Sequence, residues 1–297
     1  MADFLAIDIG GTYIKYAIIN SLHQLKHYSK VPTKENKDNA ILKQAEEITA
    51  EALRTEPNIK GIGISTAGIV DREKGEIIYA GPTIKNYKGT GFKEKLTRKF
   101  HLPVHVENDV NAALLGEIWK GAAEDQTDVF CITLGTGIGG AYFHDRLMDG
   151  FFKQANSVGY LLYEKDTETN YEDRASTAAL NSMIHQTFDG ELSARDVFVQ
   201  AKVGDNTSTK LIETWSAEVA KGLAQIILLI DPKCVIIGGG ISRQGSFLVN
   251  AIERHLNNYL PDNFLKAEIK VAQLYNDAAL YGAVYPFFKN NETENER

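Results

Sequence analysis

A short unit of apolar strand, glycine turn and apolar strand occurs twice in this chain, and the two copies constrain the fold more than any other feature. Phe4 to Ile9 and Ile14 to Ile19 are apolar runs joined through Asp8-Ile9-Gly10-Gly11-Thr12. Val129 to Leu134 runs into Thr133-Leu134-Gly135-Thr136-Gly137-Ile138-Gly139-Gly140, and an apolar run resumes at Ala141 to Phe143. Ile132-Thr133-Leu134-Gly135 stands 125 residues after Ile7-Asp8-Ile9-Gly10. That spacing is far too long for a solenoid repeat. It fits two lobes of similar architecture, each mixing strands and helices.

The segments between the copies support an α/β plan. Ile41, Ala45, Ile48 and Ala52 have helical spacing, which predicts a helix over 38–54. Ile59 to Ser65 and Val104 to Glu107 read as strands. Leu211, Trp215, Val219, Leu223, Ile226 and Ile230 mark the longest helical pattern, 206–230, which Asp231-Pro232 ends. Cys234 to Ile237 is a buried-type strand running into Gly238-Gly239-Gly240, with a helix following from Gly245 to His255. A last helix is predicted over Ala278 to Phe287, followed by a polar, frayed tail from 290. The lobes are placed at 1–110 and 111–277, with the C-terminal helix, about 278–297, packing back on the first.

Composition narrows the class. Of 297 residues, 43% are hydrophobic and 24% charged, as in ordinary globular proteins. The net charge of −7 argues against a nucleic-acid partner, though not against a nucleotide, which a few local donors can hold. The two cysteines, Cys131 and Cys234, both sit in apolar strand-like runs and read as core packing. With no C-x-x-C pair there is no thiolate zinc site. No apolar run approaches the roughly 20 residues that span a bilayer, and no signal core is evident. The expectation is a cytoplasmic protein without membrane association. The seven histidines form no ligand-like pair or cluster.

Three segments carry chemistry. Gly10 and Gly11 let a backbone turn approach an anion, Thr12 adds a hydroxyl, and Asp8 can hold a hydrated Mg²⁺; a plain hairpin turn is the alternative. Gly135-Thr136-Gly137-Ile138-Gly139-Gly140 holds four glycines in six residues, more than a structural turn needs. Each weakens a hairpin by roughly 0.5–1 kcal/mol relative to Ala, so this turn reads as a phosphate cradle. It matches neither the Walker pattern nor a Rossmann turn. Asp109 ends an apolar strand just before a helical segment, Asn111 to Trp119. It is a candidate proton acceptor or, alternatively, the cap of that helix. Asn108 can donate and accept toward sugar hydroxyls.

With these residues in order, the chain resembles the ROK family of sugar kinases, within the actin-like ATPase and hexokinase superfamily. Asp8-Ile9-Gly10-Gly11-Thr12 resembles the family's first phosphate loop, and Ser65-Thr66-Ala67-Gly68-Ile69-Val70-Asp71 its P-G-x-V-D segment. Glu107-Asn108-Asp109-Val110-Asn111-Ala112-Ala113 matches its catalytic segment. Leu134 to Gly140 matches its second phosphate loop, and Asp231-Pro232 through Gly240 its adenosine-side strand and turn. The resemblance covers essentially the whole chain. It implies a two-lobed actin-like ATPase (ribonuclease H-like) α/β fold with a ligand cleft between lobes. It also implies ATP and Mg²⁺ as cofactors, transfer of the γ-phosphoryl group to the primary (6-) hydroxyl of a sugar, and a homodimer. By the same resemblance Asp109 is the general base. Thr66, Ala67, Gly68, Asn86, Asn108, Ser157 and Glu172 lie on the sugar side. Asp8, Gly10, Gly11, Thr12, Lys15, Thr133, Gly135, Thr136, Gly137, Gly239 and Gly240 lie on the nucleotide side.

The chain also departs from the pattern. Where the family carries G-E-I-G-H and a cysteine-rich zinc loop, this chain has Asn156-Ser157-Val158-Gly159-Tyr160, and no cysteine occurs between Leu161 and Tyr171. The departure predicts no structural zinc. Ser157 in place of Glu also predicts a looser grip on the sugar's anomeric side, open to a β-glucoside, a different hexose or an N-acetyl sugar. The functional expectation is an ATP-dependent kinase of a hexose or β-glucoside, with N-acetylmannosamine, glucose and fructose as alternative substrates. A non-catalytic sugar sensor is the alternative from another class. The family's repressors place a DNA-binding domain before the first loop, where only seven residues precede Asp8 here.

Overall fold

The computed structural model describes residues 2–295 apart from 82, 125 and 191; side chains beyond residue 289 lie outside the described part. The chain divides into two units. One holds the chain up to Glu124 together with Gly150–Gln154 and the chain from Asp277, and the other holds the chain to Asp149 and Ala155–Asn276.

The first unit is built on β1 (Asp3–Ile9), β2 (Tyr13–Ile19), β3 (Leu25–Pro32), α1 (Ala40–Thr55) and β4 (Ile59–Thr66). There follow a hairpin of β5 (Ile69–Asp71) and β6 (Glu76–Tyr79), then α2 (Phe92–Phe100), β7 (Val104–Asn108) and α3 (Asp109–Lys120). The sheet order is β3-β2-β1-β4-β7, with β1, β2 and β3 antiparallel and β1, β4 and β7 parallel. The period-two alternation of β1 sorts its side chains. Leu5, Ile7 and Ile9 pack with α1, α2 and Tyr87 in one cluster, whereas Phe4 and Ala6 pack with Trp119 and the C-terminal helix in another.

The second unit holds β8 (Asp128–Leu134), β9 (Ile138–His144), β10 (Arg146–Leu147), α4 (Tyr171–Ala175), α5 (Thr177–Thr187), α6 (Ala194–Lys202), α7 (Asn206–Ile230), β11 (Cys234–Gly238), α8 (Ser246–Leu256) and β12 (Glu268–Val271). Its sheet order, β10-β9-β8-β11-β12, repeats that of the first: three antiparallel strands, then two parallel to the first of the three. β8 and β1 occupy equivalent places in the two sheets, which is the architectural counterpart of the repeated strand and turn. A single core, in which Trp215 is fully buried, unites this sheet with α4 to α8.

The C-terminal helix α9 (Ala278–Asn295) belongs to the first unit. It lies so close to α3 that a Cβ on Gly282 would sit 1.7 Å from the Ala112 carbonyl oxygen, and one on Gly116 would sit 2.1 Å from that of Ala278. Trp119 of α3 meets Tyr281, Tyr285 and Phe288 of α9. This packing sets α3 in the first unit, so the chain divides after Glu124 and not near 110. The helix also runs past Phe287 to Asn295; the side chains of the tail expected to fray from 290 lie outside the described residues.

Candidate active site

In the first unit the carboxyl ends of β1, β4 and β7 stand side by side. Asp8 pairs with Ser65 and Ser65 with Glu107; Ile9 pairs with Thr66 and Thr66 with Asn108. Open α/β sheets bind ligands outside these strand ends. The register therefore brings together Asp8, Thr66 and Asn108, which the sequence separates widely.

Asn108, and not Asp109, caps α3. Its Oδ1 accepts from the Val110 N–H at 2.9 Å and the Asn111 N–H at 3.1 Å. Its Nδ2 donates to the Gly68 carbonyl and to Asp109 Oδ1, both at 2.9 Å. Asp109 is the first residue of the helix, and its Oδ1 also accepts from the Val110 N–H at 2.9 Å. Oδ2 takes no hydrogen bond among the described residues, so one oxygen is fixed and the other is available. Burial, and then the charge of Asp8, push the Asp109 carboxyl up to about 6; the bonds from Val110 and Asn108 pull it only partly back. A carboxylate that titrates near neutrality with one free oxygen is suited to accept a proton.

Asp8 is buried, with both oxygens engaged: Oδ2 by Lys15 Nζ at 3.0 Å and Oδ1 by the Ser65 hydroxyl at 2.9 Å. Burial pulls the Lys15 ammonium down, yet the Asp8 charge and hydrogen bond leave it above its ordinary range. The adjoining turn is closed by Gly10 N–H donating to the Tyr13 carbonyl at 3.0 Å. Thr33 takes the Gly10 carbonyl through its hydroxyl at 2.7 Å and the Thr12 carbonyl through its N–H at 3.0 Å. Gly11 and Thr12 remain exposed. Asn86 is exposed and held with φ of 55°. Its carbonyl accepts from the buried Asn36 Nδ2 at 2.8 Å, and the neighbouring Tyr87 hydroxyl lies 2.6 Å from that of Thr66. Burial raises the Tyr87 phenol far above its ordinary range, so it stays protonated.

In the second unit the glycine turn is organised from several elements. Gly135 N–H donates to the Gly137 carbonyl at 3.0 Å, and the Thr177 hydroxyl takes the Leu134 carbonyl at 2.9 Å. Thr133 pairs with both Gly139 and Gly238, which sets the Gly239-Gly240 turn beside it. Glu172 of α4 accepts from the Ile138 N–H at 3.0 Å. Gly137 and Gly159 leave room for that carboxylate: a Cβ on either would come within 2.5 Å or 2.6 Å of Oε2. Glu172, expected on the sugar side, is thus bonded to the second glycine turn. Ser157 is exposed and precedes the short turn Val158–Tyr160, two residues from Gly159.

Tyr87, Asn36 and Arg72 support these residues without a signal of their own in the sequence, and Ser65 does so from within a quoted motif. Glu107 did carry one, since a carboxylate in the last buried register of a parallel strand requires a cation, and Arg72 supplies it at 2.5 Å. Among the described residues, no three His, Cys, Asp or Glu side chains come together as direct ligands for a metal ion, and no helix is long and apolar enough to cross a membrane. The cysteines are unpaired with each other and buried.

The sequence pattern of the ROK family matches residues 4–289. A β-glucoside kinase of Listeria innocua is 32% identical over 96% of this chain and 97% of its own length. A glucokinase of Halalkalibacterium halodurans is 28% identical over 98% of each chain. The crystal structure of a ROK glucokinase from Streptomyces griseus, in complex with glucose and AMPPNP, superposes with a TM-score of 0.77 at 28% identity, covering 95% of this chain and 98% of that one. A family pattern that spans nearly the whole chain, on the repeated α/β architecture described above, places this protein in the ROK family as an ATP-dependent carbohydrate kinase.

Proposed function

We propose that this enzyme transfers the γ-phosphoryl group of ATP to the primary (6-) hydroxyl of a hexose or β-glucoside, with Asp109 as general base. The observation that carries the reading is the division of labour in its carboxylate. Oδ1 is held by Asn108 and Val110, while Oδ2 is free to take the hydroxyl proton, on a group that titrates at about 6. Phosphoryl transfer asks little covalent chemistry of the protein, so positioning and charge dominate. Asn86 binds a sugar hydroxyl in this reading, beside the Thr66-Ala67-Gly68 backbone, and Asn108, whose amide is engaged by Gly68, Asp109, Val110 and Asn111, holds Asp109 toward the sugar. Asp8, Gly10, Gly11, Thr12 and Lys15 in the first unit serve the phosphates. In the second unit Thr133, Gly135, Thr136, Gly137, Gly239 and Gly240 serve the nucleotide.

The donor set at Asp8 fits a cation held through water, because Lys15 and Ser65 already engage both carboxylate oxygens. Mg²⁺, when bound with ATP, neutralises charge developing on the phosphates. Lys15 and Ser65 orient the Asp8 carboxylate, and Asp8 in turn keeps the Asp109 carboxyl high through like-charge repulsion.

Ser157 supports acceptance of a substituent at the anomeric carbon. It is exposed, and it is shorter and uncharged where a Glu would otherwise stand. Similarity to a β-glucoside kinase agrees. The test is ATP consumption across glucose, fructose, mannose, N-acetylmannosamine, N-acetylglucosamine, cellobiose and a simple β-glucoside. We expect cellobiose or the β-glucoside to match or exceed the best free hexose. Rates for both far below every free sugar would remove the anomeric reading, and no turnover of any sugar would remove the acceptor class. A cytoplasmic location, where ATP is abundant, and a homodimer belong to the same reading.

A further inference from the structure

The mechanism does not use the ion pair that Arg72 forms with the buried Glu107. Glu107, 1% exposed, accepts from Arg72 Nε at Oε2, 2.5 Å away. Its Oε1 accepts from the Asn108 N–H at 2.9 Å and from Asn111 Nδ2 at 3.0 Å. Glu107 therefore grips the β7-to-α3 turn at two points, on either side of Asp109. Arg72 follows directly on β5, in the hairpin segment that begins just after Gly68 and leads to Asn86. The Gly68 carbonyl receives Asn108 Nδ2, so among the described residues the start of the hairpin is tied to the turn by Gly68 to Asn108 and the end of β5 by Arg72 to Glu107.

Among the described residues His105 also lies near Glu107, its Nε2 3.9 Å from Oε2, but burial, followed by the charges of Arg72 and Lys93, holds its imidazole down at about 4, so beside Arg72 it is neutral at pH 7. Burial already pushes the Glu107 carboxyl above its ordinary range, and the Arg72 guanidinium is the principal force opposing that. Without Arg72 the carboxyl would be driven further toward its neutral form, and its grip on Asn108 and Asn111 would weaken.

We propose that Arg72 and Glu107 are positioning residues for the sugar side of the reaction, fastening the β5–β6 hairpin to the β7-to-α3 turn so that Asn108 holds Asp109 toward the acceptor in fixed register. The inference rests on the role proposed above for Asp109. It assigns the pair to the sugar side, because the bonds of Glu107 run to Arg72 on the hairpin and to Asn108 and Asn111 in the turn.

The test compares Arg72→Met, Arg72→Lys and the charge-free double variant Arg72→Met with Glu107→Gln, using whichever free sugar or β-glucoside the parent turns over best. For Arg72→Met we expect kcat to fall on the order of 100-fold, the loss typical of a small misplacement of reacting groups. The sugar KM should rise several-fold and the ATP KM should stay within about twofold. Asn108 and Val110 lower the Asp109 carboxyl by donating to it, so loosening the turn should also move the acid limb of kcat/KM upward in pH. Arg72→Lys should recover part of both losses. The double variant leaves no buried charge unpaired and keeps an amide oxygen for Asn108 and Asn111, so it tests the hairpin tie if Arg72→Met fails to fold. Its sugar KM should still rise with the ATP KM unchanged. A fall in kcat with both KM values and the acid limb as in the parent would show mere loss of folded enzyme and overturn the proposal, as would equal rises in both KM values. Asp109→Asn measured alongside separates the two ideas. Near-normal turnover there refutes the base, while the KM comparison still judges the pair.

Discussion

Replacing Asp109 by Asn should separate catalysis from stability with opposite signs. The Asn carbonyl oxygen can take over the bonds that Oδ1 accepts from Asn108 Nδ2 and the Val110 N–H, so the turn keeps its shape. The group lost is the free Oδ2, the proposed proton acceptor. Removal of a general base costs about 100- to 10,000-fold in turnover, or about 3–6 kcal/mol at 1.4 kcal/mol per decade. The same change removes a carboxylate that the fold disfavours. Moving a carboxyl from 3.8 to about 6 means that the native state holds its proton more tightly than the unfolded chain does. Native stability therefore falls as pH rises through that interval and stays lowered above it, by about 3 kcal/mol at most. Asn carries no such penalty. We expect Asp109→Asn to be more resistant to urea at pH 8, by about 2–3 kcal/mol, with the gain shrinking as the pH approaches the ordinary carboxylate range. Calorimetric titration should show sugar binding largely intact. Turnover near that of the parent would remove Asp109 as base. A variant less stable at pH 8 would refute the account of its environment.

In the parent enzyme, kcat/KM should fall about tenfold per pH unit below about 6 and be flat just above it, since the base must be ionised to act; a limb centred near 4 would contradict the raised carboxyl. Gly282→Ala should destabilise the first unit by about 1–3 kcal/mol or more, because the added carbon meets the Ala112 carbonyl oxygen; a urea titration followed by Trp119 fluorescence in a Trp215→Phe background would read it, and an unchanged midpoint would deny the close α3–α9 contact. Metal analysis of protein purified without added zinc should find well under one equivalent, since the only two cysteines are buried in β8 and β11; a stoichiometric value would overturn the expectation.

What could be read from the chain alone was whatever neighbours in sequence decide. The strand, glycine turn and strand of Phe4 to Ile19, the helix ended by Asp231-Pro232 and the repeat 125 residues on are set by periodicity and turn chemistry over a few residues. They sufficed for an α/β plan, and with the motifs quoted they sufficed for the family. The half-exposed β3 and the short β5–β6 hairpin gave no comparable periodic signal. Tertiary structure alone settled which residues meet. Asn108 caps the helix because its side chain reaches both Val110 and Gly68, a partner 40 residues away. Arg72 finds Glu107 across 35 residues, and Glu172 finds Ile138 across 34. The glycines at 116 and 282 look dispensable until α9 comes to rest on α3. Contacts of this kind depend on strand register and helix packing, which are fixed by the summed burial of the cores and leave no mark in any local window.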